Sequence, residues 1–178
     1  MLERPTAEPG DMAVRKIISG GQTGAERAGL KAARACGVAL GGWVSRRRRA
    51  EDGKVPAEYA EMVETTSANP AERTRRNVAD ADGTLIVSHG PLRGGFALAR
   101  GVAAEAGKPC LWLDMSLMPI ETALERLTAW LHEHRIEVLN VAGPRASEDE
   151  NVHDVVFALV SALLREEKRR RAANTAAS

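Results

Sequence analysis

The stretch Val14-Arg15-Lys16-Ile17-Ile18-Ser19-Gly20-Gly21-Gln22-Thr23-Gly24-Ala25-Glu26-Arg27 decides the fold. A short β-branched run breaks at paired glycines, and residues of helical periodicity follow. This predicts a strand, a tight turn and a helix over 24–36. The apolar positions of that helix are Ala25, Gly29, Ala32, Ala33 and Cys36, all small, so it can lie close against a sheet.

The same alternation continues outward. Residues 38–40 read as a second strand ended by Gly41-Gly42, and 43–56 as a long polar loop. A third strand is expected over 62–65. Asn69-Pro70 has the form of an N-cap followed by proline at the first helical position. Ala71, Thr74, Val78 and Ala81 would be the buried stripe of that helix, which Asp82-Gly83 ends. Strands are expected at 84–87, 110–113 and 137–141. Helices are marked by Phe96, Ala99, Val102, Ala103 and Ala106, then by Ile120, Leu124, Leu127 and Leu131, and then by the apolar face of 152–164. Strands alternating with helices imply βαβ units, hence an α/β fold: a doubly wound, mostly parallel sheet in a single domain over 13–165. Residues 1–12 read as a flexible leader and 166–178 as a charged, fraying tail.

Composition narrows the possibilities. At 178 residues the chain predicts about one domain. Its 44% hydrophobic and 28% charged residues exclude wholesale disorder, fibrous repeats and coiled coils. A net charge of +1 supplies no global field toward nucleic acid, and 3% aromatics argue against a stacking platform for single strands. Cys36 and Cys110 are too few for a disulfide framework and lack the spacing of a metal pair. The longest nearly apolar run, 155–164, is half of the ~20 residues a membrane span needs. The N-terminus lacks an apolar secretory segment, so a cytoplasmic location is expected. Arginine outnumbers lysine 20 to 5, a bias that fits either bidentate phosphate binding or a GC-rich genome.

In open α/β sheets, ligands bind beyond the carboxyl ends of the strands. Three polar turns are predicted there: 19–24, 88–95 and 140–145. The first two run into helices, whose N-terminal N–H groups and dipole attract anions. The first is not a Walker A loop, because no Gly-Lys-Ser/Thr follows, and it is not GxGxxG either. A purely structural turn is the alternative for each. The candidate binding residues are Gly20, Gly21, Gln22, Thr23 and Gly24 with Arg27 as a first phosphate cradle, and Gly94 and Gly95 as a second. Arg49, Asn77, Asn140 and Arg145 would clamp polar groups, and Trp43 would cover an aromatic ring. On this basis Gly21→Val should block binding and leave the fold intact. Arg46 to Arg49 form a charged run that is either an anion clamp or a solvated loop, and Arg73, Arg75 and Arg76 read as a solvated helix face. His132 and His134 are misplaced for one helix face, so no protein-ligated metal is expected.

Taken in order, these pieces resemble one family over about residues 16–164. They include Gly20 to Arg27, Gly41-Gly42-Trp43, Arg48-Arg49-Ala50-Glu51-Asp52-Gly53, Arg73-Thr74 with Asn77-Val78, and Asp80 to Ile86. Gly94-Gly95, Gly107-Lys108-Pro109 and Leu139 to Arg145 complete the set. The chain resembles the putative molybdenum carrier family, part of a Rossmann-like superfamily. That superfamily also holds molybdenum cofactor carriers, DprA-type domains and the Lonely Guy phosphoribohydrolases. The resemblance implies a Rossmann-like fold and a small phosphorylated ligand, either molybdenum cofactor or a nucleotide. It also implies a homo-oligomer, dimer or tetramer. The sequence departs from the family at Glu26, where aspartate is usual, and at Phe96, where threonine is usual.

Two functions follow as expectations, and a third, single-stranded nucleic-acid binding through Arg46 to Arg49 and the basic stretch Lys168 to Arg171, has the near-neutral net charge and few aromatics against it. The first is a binding or carrier protein with no membrane and no nucleic-acid partner. The second is an N-glycosidase acting on nucleoside 5′-monophosphates. Against it, the Lonely Guy glutamate falls on Gly101, and cleavage through an oxocarbenium-like centre needs a carboxylate. Glu51, Asp52, Asp80 or Asp82 would have to supply it from another loop.

Overall fold

A computed structural model describes residues 14–177; the leader expected at 1–12 lies outside them. The first strand, β1 (Lys16–Ile18), buries Ile17 and Ile18 and turns into α1 (Ala25–Ala35). The small face of α1 permits close approach: a Cβ on Gly29 would come within 3.0–3.2 Å of the Val141 side chain. After α1 come β2 (Ala39–Gly41), β3 (Trp43–Val44), β4 (Arg49–Ala50), β5 (Gly53–Lys54) and β6 (Val63–Glu64). Next is α2 (Pro70–Asp80), capped as expected by the Asn69 side chain, which accepts the Ala71 N–H at 3.0 Å. The chain then alternates through β7 (Gly83–Ser88), α3 (Gly94–Glu105), β8 (Cys110–Asp114), α4 (Ile120–His134), β9 (Val138–Ala142) and α5 (Val152–Ala176).

The central sheet runs β2-β1-β9-β7-β8, and every pairing in it is parallel. Helices α1, α4 and α5 cover one face, and the buried side chains of α2 and α3 gather on the other around Val78, Ile86, Phe96 and Ala142. This is a single α/β domain with a Rossmann-like, doubly wound sheet. Because the strands are parallel, the turns after β1, β7 and β9 all emerge at one edge.

Three expectations need correction. The supposed polar loop at 43–56 contains β3, β4 and β5. The strand expected at 62–65 is β6, and it pairs with β3 outside the central sheet. The fraying tail at 166–178 is helical through Ala176: α5 continues, with Arg170 donating to Glu166 one turn earlier at 2.7 Å. Among the described residues, no helix is long and apolar enough to cross a membrane.

Candidate functional site

The three turns enclose a cleft in two compartments of ≈ 240 and ≈ 310 Å³, with Gln22, Pro70, Arg73 and Arg145 lining both. Gly94, Gly95 and Phe96 line the first. Arg49 and Glu51 line the second. Asn77 and Asn140 sit below, with Gly20 and Glu26, around a small void of ≈ 10 Å³.

The turn after β1 is built around its own hydrogen bonds. The Gly21 N–H donates to Ser19 Oγ (3.2 Å), the Gln22 N–H to Glu26 Oε2 (2.9 Å) and the Thr23 N–H to Gln22 Oε1 (3.0 Å). The Ala25 N–H donates to the Pro144 carbonyl (3.1 Å), which fastens this turn to the one after β9. Four of its N–H groups are therefore engaged inside the protein. Arg27, expected in a phosphate cradle, is a brace instead. It donates to the Gly21 carbonyl and to Asp52, whose carboxyl its guanidinium holds below the ordinary carboxylate range.

The turn after β7 is different. Neither Arg93, the cap residue of α3, nor any other side chain caps it, and among the described residues the N–H groups of Gly94, Gly95 and Phe96 carry no bond. A Cβ on Gly95 would have no neighbour within 4 Å. Phe96 does not obstruct this end, because its ring is buried against Val78, Ile86 and Ala142. The turn itself is braced from below: the Gly90 N–H donates to Asp114 Oδ1 (2.8 Å), and His89 Nδ1 lies 2.6 Å from Asp149 Oδ2. Hydrogen bonds from Ser116 and then from Gly90 hold the Asp114 carboxyl below its usual range.

Glu51 ties the edge together. It accepts from the Thr23 hydroxyl and from the N–H and hydroxyl of Ser147, joining the β4–β5 hairpin to the turns after β1 and β9. The Ser147 and Thr23 hydroxyls lower its pKa. Arg145 pairs with Glu148 at 3.4 Å and reaches Glu51 at 3.9 Å. Arg49 is exposed and unpaired among the described residues.

Two clamp candidates have other work. Asn77 accepts the Trp43 N–H (2.8 Å) and donates to the Trp43 carbonyl (3.0 Å), so both ends of its amide are committed to β3. Trp43 lines neither compartment: its ring lies 4.5 Å from the Arg76 guanidinium, and its Nε1–H donates to Asp80 at 2.7 Å. It is not placed to cover a ligand ring. Asn140 donates to Thr84 at 3.2 Å and forms part of the floor.

Sequence reasoning missed Arg73 and underrated Glu26. Arg73 is only 8% exposed; its Nη1 donates to both Glu26 oxygens at 3.1 and 2.9 Å. Among the described residues its Nε and Nη2 carry no bond. The carboxylates proposed for glycosidic cleavage are engaged elsewhere: Asp52 with Arg27, Asp80 with Trp43, and Asp82 with the N–H groups of Glu137 and Val138. Among the described residues, no group of three His, Cys, Asp or Glu side chains gathers as a metal set.

Residues 17–164 match the model of the circularly permutated YpsA SLOG family. A crystal structure of a putative molybdenum carrier protein from Syntrophus aciditrophicus SB is 45% identical, with a TM-score of 0.84. The match covers 85% of this chain and 96% of that one. No curated protein matches.

Proposed function

We propose, from the premise that the chain belongs to the circularly permutated YpsA SLOG family, that it binds and carries a small phosphorylated ligand in the cleft at the sheet edge. The observation that carries this reading is the open N-terminus of α3, which faces the compartment that Arg73 and Arg145 also line. Free helix N–H groups and guanidinium donors aimed into one cleft are the chemistry of phosphate recognition. Three or four charge-assisted bonds, at ~1.5–3 kcal/mol each, suffice for micromolar affinity. The ligand body would lie over Pro70, Ala71 and Leu98, which give the compartment an apolar wall.

The similarity to a putative molybdenum carrier makes molybdenum cofactor the first cargo to test, with a nucleotide second. Carriage is favoured over glycosidic cleavage because the cleft carboxylates are committed: Glu26 to Arg73, Glu51 to Thr23 and Ser147, and Glu148 to Arg145. Assembly into a homo-oligomer belongs to the same proposal. Mass spectrometry of small molecules released by denaturing freshly purified protein tests it. A released pterin phosphate or nucleotide supports the reading, and an empty cleft combined with no binding of either class refutes it.

A further inference from the structure

The turn after β1 contains an anion position, and the protein's own charge occupies it. Glu26 Oε2 accepts the Gln22 N–H and Arg73 Nη1, both at 2.9 Å, while Oε1 accepts Arg73 Nη1 at 3.1 Å. A turn N–H converging with a guanidinium is what a phosphate oxygen would meet there. The two side chains are largely shielded, at 10% and 15% exposure for Arg73 and Glu26. Gly20 makes room for them: a Cβ on it would lie 1.4 Å from Arg73 Nη1 and 2.8 Å from Glu26 Oε2. Both residues line the first compartment of the cleft.

We infer that Glu26 is a specificity-determining residue, an internal carboxylate that fills the anion position after β1 and so sends the ligand's single anionic group to the N-terminus of α3. The second half of this statement rests on the proposed function; the first does not. Two anions cannot share one pair of donors, since each disfavours the other's charge. A ligand with one phosphate therefore docks in one direction, and the part of it beside Glu26 is neutral or donates N–H groups.

The test titrates the full chain with inorganic phosphate in a calorimeter. Glu26→Ala vacates the position and frees Arg73, so phosphate affinity should rise by about tenfold or more. Glu26→Gln neutralises the position while keeping its volume and should give a smaller rise; this variant is the fallback if the alanine variant does not fold. The gain should persist when Gly95→Asp blocks the α3 end. Unchanged or weakened phosphate binding in the Glu26 variants overturns the inference, as does a gain that Gly95→Asp erases. Failure of the proposed function has a different signature, namely wild-type phosphate binding that is indifferent to Gly95→Asp.

Discussion

The turns after β1 and β7 look alike in sequence and differ in availability. Both follow a buried strand, both carry paired glycines, and both open a helix of the same sheet edge. In the first, Ser19, Gln22, Glu26 and the Pro144 carbonyl take up four N–H groups. In the second, the residues after the glycines are Phe96, Ala97 and Leu98, none of which has a side chain able to accept a hydrogen bond, and three N–H groups remain open. Glycine content thus marks where a backbone bends, and the acceptors on the following helical turn decide whether the bend can hold a ligand.

The largest expected effect that would break this contrast is on stability. Gly21 has φ +72°, and a side chain there would crowd Val55 at 3.1 Å and Met62 at 3.2 Å. Gly21→Val should therefore destabilise by about 2–4 kcal/mol, lowering Tm by roughly 5–15 °C, whereas sequence alone suggested an intact fold. Gly95→Val, in open space, should stay within about 0.5 kcal/mol in the same thermal melts. Equal losses in the two variants would erase the distinction.

Ligand binding should show the converse. Gly95→Asp sets a carboxylate against the open α3 terminus and should weaken a phosphorylated ligand about 10–100-fold by calorimetry, with little change in Tm. Retained affinity would move the phosphate away from α3.

A smaller effect sharpens the picture of the braced edge. Glu51 has its pKa lowered from 4.5 by the Ser147 and Thr23 hydroxyls. A depressed carboxyl contributes stability that is present above its ordinary pKa and lost as pH falls through the lower, folded value. Glu51→Gln should cost about 0.5–1.5 kcal/mol at neutral pH and flatten the acid limb of the stability profile. An unaltered acid limb would show that Glu51 is not part of it. The smallest effect is expected from replacing Arg169, Arg170 and Arg171 together by alanine, which should leave ligand affinity unchanged and stability within about 0.5 kcal/mol. A large loss of affinity would make the end of α5 part of the site.

The alternation of strands and helices was legible because each element repeats its apolar signal over a full turn or pleat. β3, β4 and β5 were not, since two-residue strands have no period to detect, and β6 was expected as a strand but not its pairing with β3. The end of α5 carried a signal that was passed over: Glu166, Lys168 and Arg169 to Arg171 are good helix formers, and Glu166 and Arg170 stand one turn apart. Of the site, the three turns were placed correctly on one edge. The commitments of their side chains were not legible, because Arg73 reads as a surface charge until a distant Glu26 neutralises it. Asn77 and Trp43 were nominated for their chemistry, yet the Asn77 amide is spent on the Trp43 backbone and the Trp43 ring on Arg76 and Asp80.

The position of β9 has a consequence for how the molecule is assembled. Lys16 of β1 pairs with Val138, and Gly83 of β7 pairs with Leu139. Among the described residues, the strand that joins the two halves of the sheet is the last in chain order. Without it, β1 with β2 and β7 with β8 would be left as two separate pairs, each with an unpaired edge where β9 belongs. Joining them takes contacts of high sequence separation, the kind associated with slower folding. The turns after β1 and β7 are held side by side through β9, so a chain lacking residues 138–142 is expected to keep both pieces of the cleft in sequence and to lose the cleft.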